Sequence, residues 1–159
     1  PFICFLLVSA VIFTLPSCGN QGTTTQGPQG ALGSDAASQV YVAPGDYHMT
    51  VEGRGGSRHL MLNQNPPENF CRPSVDPMLR SLVASYGGNI LTAILTGMGQ
   101  EGMLGGRDVV NAGGMVVAQD EQSSVVWGMP GAAAHAGICS AVLPVGGIAA
   151  YIKKFAGGR

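Results

Sequence analysis

The spacing of apolar and polar positions changes several times along the chain, and each change predicts an element of secondary structure. The apolar segment Val40–Ala43 predicts a short strand that stops at a Pro-Gly-Asp turn, and Tyr47–Glu52 alternates as a half-buried strand does. Arg58–Leu62 follows the glycine-rich residues 53–57, so these two segments are predicted to form a β-hairpin. Residues 64–69 are expected to be a surface loop.

A helix is predicted after this loop. Asp76 can cap it, Pro77 suits its first turn, and the paired glycines at 87 and 88 end it. Its apolar positions fall on one helical stripe, namely Met78, Leu79, Leu82, Val83 and Tyr86.

A β-α-β unit is predicted next. Ile90–Leu95 is a continuous apolar run, typical of a strand that is covered on both faces in a parallel sheet. The glycine-rich turn Gly97–Gly102 leads into a helix over residues 102–112, and residues 115–118 form the next buried strand. This order predicts a parallel pair joined by a right-handed crossover. The pair Gly105-Gly106 disfavours the helix by roughly 1 kcal/mol per residue relative to alanine, so we expect it to permit close packing.

The C-terminal part is predicted to hold four shorter elements. They are a helical turn over Ser123–Trp127, a small alanine-rich helix over Pro130–Ala136, a strand over Ala141–Leu143 and a terminal helix with an apolar stripe from Val145 to Phe155.

Composition separates residues 1–39 from residues 40–159. The chain has eight basic and nine acidic side chains and a net charge of -1, which excludes a basic nucleic-acid-binding protein and an acidic disordered chain. Asp35 is the one charged residue before Val40. Pro1–Pro16 is almost entirely apolar and resembles the core of a secretory signal, but it is shorter than the roughly 20 residues of a membrane-spanning helix.

Two interpretations of this start stay open. Leu15–Cys18 is loosely like a lipoprotein cleavage site, which favours an exported or anchored protein. No Lys or Arg precedes the apolar run, which favours a disturbed gene start. Residues 19–39 are rich in Gly, Thr, Gln, Ser and Ala and are expected to form a loop or a disordered linker. We therefore expect an atypical segment over residues 1–39 and the functional domain over residues 40–159.

The cysteines and histidines predict no metal site. The cysteines form no C-x-x-C pair and the histidines are scattered. Reduced thiols are expected at Cys4, Cys18, Cys71 and Cys139, and structural or surface histidines at His48, His59 and His135.

The motif GMGQEG at Gly97–Gly102 permits several hypotheses. It fits the G-x-G-x-x-G pattern between a strand and a helix, and Asp120 lies 18 residues beyond Gly102, as in dinucleotide-binding proteins. The Glu101 carboxylate argues against this, because it competes with a pyrophosphate for the amides at the helix start. Alternatively, Glu101 lies at the carboxyl end of a parallel strand, where ionisation is favoured, and orients a histidine that activates a serine. A third interpretation makes Glu101 only a favourable acidic residue near a helix start.

The same loop resembles a known family. Ile94–Gly102 (ILTGMGQEG) is similar to the ILTGMGxDG segment of chemotaxis-receptor protein-glutamate methylesterases, the CheB family. Other segments match the family in order and spacing, namely VYVAPGDYHM at 40–49, RPSVD at 72–76, AQDE at 118–121 and VVWGMP at 125–130. The resemblance covers about Val40–Phe155.

The resemblance implies an α/β fold in which a mostly parallel sheet is flanked by helices, a Rossmann-like three-layer arrangement with a β-hairpin insertion. It implies hydrolysis of glutamate methyl esters with release of methanol, and glutamine deamidation in some members, by a Ser-His-Asp triad. Carried over to this chain, Glu101 takes the position of the triad acid and Met98 contributes to the oxyanion side. No cofactor is implied.

Three departures from the family pattern bear on activity. The chain contains neither the Ser-Thr-Gly-Gly segment nor the His-Met-Pro segment that carry the family's serine and histidine, although Phe2–Leu7 can stand in for the strand before the histidine loop. The acid is Glu101 rather than an aspartate. No receiver domain precedes the segment, so control by phosphorylation is not implied. We expect the chain to be a fragment that is inactive or nearly so as an esterase.

The resemblance also implies partners and a location. Methylated chemotaxis receptors are the expected partners, with a receiver domain in a full-length parent and no nucleic acid. A cytoplasmic location is implied, and a membrane is involved only if the apolar start is a true signal. A dinucleotide-binding domain and a non-catalytic lipid-anchored binding module remain as alternatives.

Overall fold

The computed structural model describes residues 3–8, 10–14, 30–32, 40–53 and 58–157. Within these ranges the order of elements is β1 (Ile3–Val8), β2 (Ala10–Thr14), β3 (Gly30–Leu32), β4 (Val40–Val42), β5 (His48–Glu52), β6 (Arg58–Asn63), α1 (Val75–Tyr86), β7 (Ile90–Ile94), α2 (Met103–Asn111), β8 (Met115–Gln119), α3 (Met129–His135), β9 (Ala141–Leu143) and α4 (Val145–Gly157).

The main sheet has the strand order β4-β2-β1-β7-β8-β9. β1, β7, β8 and β9 are mutually parallel, whereas β2 runs antiparallel to both of its neighbours. A small antiparallel sheet, ordered β3-β6-β5, contains the predicted hairpin, of which residues 54–57 lie outside the described ranges. The predicted α/β fold with a mostly parallel sheet and a β-hairpin is confirmed.

Helices cover both faces of the main sheet. β7 is buried along its whole length, because its side chains alternate between two apolar clusters. Ile90 and Ile94 pack in the cluster that includes side chains of α1, α2 and α3. Leu91 and Ala93 pack in the other cluster, with Ile148 of α4. This mostly apolar segment therefore marks the central strand of a three-layer arrangement.

The two glycines inside α2 allow it to approach α1 and the segment that follows α3 closely. A Cβ atom on Gly105 would lie 2.7 Å from the Cβ of Leu79, and one on Gly106 would lie 3.0 Å from Cδ1 of Ile138. The prediction that these glycines permit close packing is confirmed.

The prediction that Asp76 caps its own helix is wrong. α1 begins at Val75, and Ser74 before it is extended and makes no side-chain cap. Asp76 therefore lies inside the first turn. Its buried carboxylate accepts hydrogen bonds from the backbone amides of Gly102 and Gly105 at the start of α2, because the two helices pack against each other at that point.

The predicted helical turn over Ser123–Trp127 is also wrong. Residues 121–123 form a turn, and Trp127 makes a parallel bridge with Gly97. The backbone groups of Val126 bind Thr96 and Gly97 rather than closing a helical turn. Long-range pairing thus replaces the local structure that the pattern predicted.

The apolar start of the chain contributes strands to the main sheet. β1 pairs in parallel with β7, and β2 pairs with β4. The interpretation of this run as the core of a secretory signal is not borne out, whereas a strand at the place of Phe2–Leu7 is. Cys18, the residue of the lipoprotein-like site, lies outside the described ranges. Among the described helices, none has the length and apolar character needed to span a bilayer.

Candidate active-site region

The acid loop, residues Gly97–Gly102, connects the carboxyl end of β7 to α2. Gly99 and Gly102 have φ values of 86° and 82°, in the left-handed region that favours glycine. Met98 is exposed and Glu101 is half-buried. Both side chains thus lie in a loop at the carboxyl ends of the parallel strands, where α/β proteins bind their ligands.

The segment before α3 holds the acid loop in place. The Gly97 amide donates to the carbonyl of Val126 at 3.0 Å, and the Met129 amide donates to the carbonyl of Gly97 at 2.9 Å. The Thr96 hydroxyl accepts a hydrogen bond from the Val126 amide at 2.8 Å. A Cβ atom on Gly128 would lie 2.7 Å from the Gly97 oxygen, so only glycine permits this approach.

Gln119 and Asp120, at the carboxyl end of β8, are engaged within the fold. Oε1 of the buried Gln119 accepts from the Thr96 amide at 2.9 Å, and its Nε2 donates to the Ser123 carbonyl at 2.6 Å. The Asp120 carboxylate accepts from the amide and the hydroxyl of Ser123 at 3.0 and 2.6 Å. Asp120 thus closes a local turn. The dinucleotide hypothesis instead requires this carboxylate to bind a ribose hydroxyl.

Asp76 occupies the amides at the start of α2. Its Oδ1 accepts from Gly102 at 3.1 Å and from Gly105 at 2.8 Å, and its Oδ2 accepts from Nδ2 of Asn69 at 3.0 Å. Burial raises the pKa of the Asp76 carboxyl group, although both amides act to lower it. A bound phosphate needs free amides at a helix start, so this site does not fit a pyrophosphate. These amides also do not donate hydrogen bonds to Glu101, although the sequence hypothesis expected Glu101 to use the amides at the helix start.

Glu101 has one carboxylate oxygen without a partner. Its Oε1 is buried and accepts no hydrogen bond within the described ranges. The Cys71 thiol lies beside this carboxylate, and burial, followed by the nearby charge of Glu101, raises the pKa of the thiol. A buried oxygen that lacks a donor is uncommon in folded proteins and often has a functional reason. It can accept a hydrogen bond from an imidazole N–H.

A strained turn precedes Cys71. Asn69 and Phe70 have φ values of 52° and 63°, between Glu68 and Cys71, which pair in an antiparallel bridge. The left-handed region costs a residue with a Cβ atom about 1–2 kcal/mol. Phe70 is fully exposed. The surface loop predicted over residues 64–69 ends just before Phe70, and the sequence pattern predicted no role for this aromatic residue.

The described histidines have structural or surface positions, as expected. His48 is buried, its Nδ1 accepts from the Ser74 amide at 3.1 Å, and its Nε2 donates to the Pro66 carbonyl at 3.2 Å. His59 and His135 are exposed. In the ranges that the structure covers, no three His, Cys, Asp or Glu side chains are grouped to hold a metal ion.

Comparison with known protein families agrees with the order and geometry of these segments. Residues 34–152 match a family model described as CheB methylesterase. The chain belongs to the CheB methylesterase family. The resemblance inferred from the acid loop is thereby confirmed.

Relatives and a solved structure support the same assignment. The chain is 66% identical over 121 residues to a protein-glutamate methylesterase/protein-glutamine glutaminase of Paramagnetospirillum magneticum, covering 76% of this chain and 32% of that protein. It is 62% identical over 119 residues to the corresponding Azospirillum brasilense protein, covering 74% and 30%. The CheB methylesterase catalytic domain of Thermotoga maritima matches with a TM-score of 0.71 and 34% identity, covering 74% of this chain and 62% of that one.

The chain spans about a third of the length of these curated relatives. The relatives' names describe hydrolysis of a protein-bound ester, and neither a dinucleotide-binding domain nor a lipid-anchored module is supported. The roles assigned to Glu101 and Met98 stay predictions.

Proposed function

We propose that this chain, through residues 40–159, forms the acid-bearing C-terminal part of the catalytic domain of a protein-glutamate methylesterase. The complete enzyme hydrolyses glutamate methyl esters on chemotaxis receptors and deamidates receptor glutamines by the same acyl transfer. The observation that carries the proposal is Glu101, whose buried Oε1 accepts no hydrogen bond from the described residues and whose loop leaves the carboxyl end of β7. Family membership supplies the reaction class.

In the proposed mechanism, Oε1 of Glu101 accepts the Nδ1–H of the catalytic histidine and so fixes its tautomer. The other ring nitrogen takes the proton of the serine hydroxyl as Oγ attacks the ester carbon. The Met98 end of the acid loop faces the oxyanion that forms, and the histidine then protonates the departing methoxide to give methanol. Water hydrolyses the acyl-enzyme by the same steps and leaves a free glutamate.

Methylated chemotaxis receptors are the proposed partners, and the cytoplasm is the proposed location. A receiver domain in the complete enzyme is a further proposed partner. The chain by itself is expected to release no methanol in repeated turnovers, because its sequence contains neither Ser-Thr-Gly-Gly nor His-Met-Pro.

A chimera tests the proposal. Residues 40–159 replace the corresponding part of the Paramagnetospirillum magneticum relative, which is 66% identical to this chain over 121 residues. We expect the chimera to release methanol from methylated receptor and the chain alone to release none. Glu101→Gln in the chimera is expected to lower kcat by about 10³–10⁴-fold, because the histidine loses its charged partner.

Glu101→Asp and Glu121→Gln are the controls. Glu101→Asp restores the usual family acid and is expected to retain turnover. Glu121 is exposed in the turn after β8, so Glu121→Gln changes the same charge without touching the acid loop. Unchanged turnover in the Glu101→Gln chimera, or an inactive chimera that is correctly folded, contradicts the proposal.

A further inference from the structure

Phe70 stands alone at the tip of a short, closed turn. The Cys71 amide donates to the Glu68 carbonyl at 2.9 Å, and the Glu68 amide donates to the Cys71 carbonyl at 3.2 Å. Asn69 and Phe70 between them both have positive φ, the pattern of a two-residue hairpin turn. The aromatic ring is fully exposed and packs in neither apolar cluster of the fold.

The turn is held on both sides, so the ring is presented by a rigid support. Nη1 of Arg80, on α1, donates to the Glu68 carboxylate at 3.0 Å in a two-bond ion pair. Nδ2 of Asn69 donates to the buried Asp76 carboxylate at 3.0 Å. Asparagine tolerates the left-handed region, but phenylalanine does not favour it. The local fold therefore gives no reason for an aromatic residue at this position.

The turn adjoins the acid loop through two connections. Cys71 is the next residue after Phe70, and its thiol lies so near the Glu101 carboxylate that this charge helps to raise the pKa of the thiol. Asp76 links Asn69 to the Gly102 amide, which directly follows Glu101. The turn that carries the exposed ring therefore adjoins the loop that carries the proposed catalytic acid.

We propose that Phe70 is a substrate-docking residue that packs against the receptor polypeptide beside the methylated glutamate. This inference rests on the proposed function, since that function makes the substrate a folded protein. A ring that is exposed at the surface of this chain is accessible to a partner that extends past the ester itself. Rigid aromatic side chains lose little conformational freedom on binding, which makes them frequent centres of binding energy.

Binding of the full chain to a methylated cytoplasmic receptor fragment tests the inference. We expect Phe70→Ala to raise Kd by about tenfold or more, as truncation of an aromatic anchor does. Phe70→Tyr is expected to keep Kd within about threefold, because the ring is retained. Val142→Ala, at an exposed apolar position on the edge strand β9, is the control and should leave Kd unchanged. The Tm of every variant should match that of the parent chain, because these side chains are exposed.

The chimera separates docking from catalysis. Phe70→Ala there should raise KM for the methylated receptor and leave kcat unchanged. Its hydrolysis of a blocked glutamate γ-methyl ester, which carries no flanking polypeptide, should not change. Tight binding of the Phe70→Ala chain, or a loss of kcat instead of a rise in KM, overturns the inference and leaves the methylesterase proposal standing. Absence of any turnover by the folded chimera overturns both.

Discussion

Asp76 lies in the first turn of α1, yet its carboxylate caps α2, with Oδ1 2.8 Å from the amide nitrogen of Gly105. The same oxygen accepts from Gly102, the residue that follows Glu101. The RPSVD segment therefore fixes the end of the acid loop through one buried side chain. The position of the proposed catalytic acid depends on a residue that has no part in the chemistry.

Asp76→Asn is expected to lower the free energy of unfolding by about 1–3 kcal/mol. Both carboxylate oxygens of Asp76 accept hydrogen bonds, Oδ2 from Asn69 and Oδ1 from two backbone amides. Whichever oxygen is replaced, the new side-chain N–H₂ group faces another donor. Urea denaturation measures the loss, and hydrogen exchange should show faster exchange at the amides of Gly102 and Gly105. Glu121→Gln, at an exposed site, is the matched control and should change neither.

The pH dependence of this difference tests the state of the Asp76 carboxyl group. Burial raises its pKa above 3.8, so the folded chain holds the proton more strongly than the unfolded chain does. This group therefore adds stability as the pH falls through the raised pKa toward 3.8, and that contribution is lost as the pH rises again. The free energy of unfolding should be measured at several pH values for the protein and for Asp76→Asn. We expect the difference between the two values to widen as the pH falls. A gap that narrows contradicts the direction of the shift.

Gly105→Ala is expected to destabilise the protein by about 1–2 kcal/mol, although alanine is the better helix former. Its Cβ would lie 2.7 Å from the Cβ of Leu79 and 3.1 Å from Oδ1 of Asp76. Gly146→Ala makes the same change in the first turn of α4, where a Cβ meets nothing within 4 Å. That variant should gain up to about 1 kcal/mol. Thermal or urea unfolding of the pair checks the opposite signs, and equal effects contradict the packing argument.

Gln119→Met is expected to lower the free energy of unfolding by about 1–3 kcal/mol. Methionine fills a similar volume but leaves the Thr96 amide and the Ser123 carbonyl without their side-chain partner. Gln122→Met, at an exposed position, should change the free energy of unfolding by no more than about 0.5 kcal/mol. Chemical denaturation of both variants measures the difference, and a neutral Gln119→Met variant argues against this hydrogen-bonded bridge.

Cys139 is expected to react slowly with alkylating reagents while the chain is folded. Burial raises the pKa of its thiol from 9.0 to about 11. At pH 8 this lowers the thiolate fraction by about 100-fold, and the thiolate is the reactive form. Mass spectrometry of the peptide that contains Cys139, after timed treatment with iodoacetamide with and without urea, measures the ratio. Equal rates in the two conditions would show that the thiol is not protected.

Local pattern predicted most of the architecture correctly. The segment Ile90–Ile94, apolar except for Thr92, predicted a central strand, because a strand between two helical layers buries side chains on both of its faces. The glycine turn after it predicted the acid loop, since left-handed φ values at Gly99 and Gly102 disfavour other residues. The Ser123–Trp127 prediction failed because Val126 pairs with a loop 30 residues away.

The sequence by itself determined the order of the elements, the acid loop and the family, because these depend on short segments whose residues are neighbours in the chain. Only the tertiary structure decided that Asp76 caps α2, that the strand at the start of the chain pairs with β7, and that Phe70 lies outside both apolar clusters. Periodicity tells which side of an element is buried but not which element covers it. A hydrogen bond between residues 26 positions apart exists only once the helices have packed.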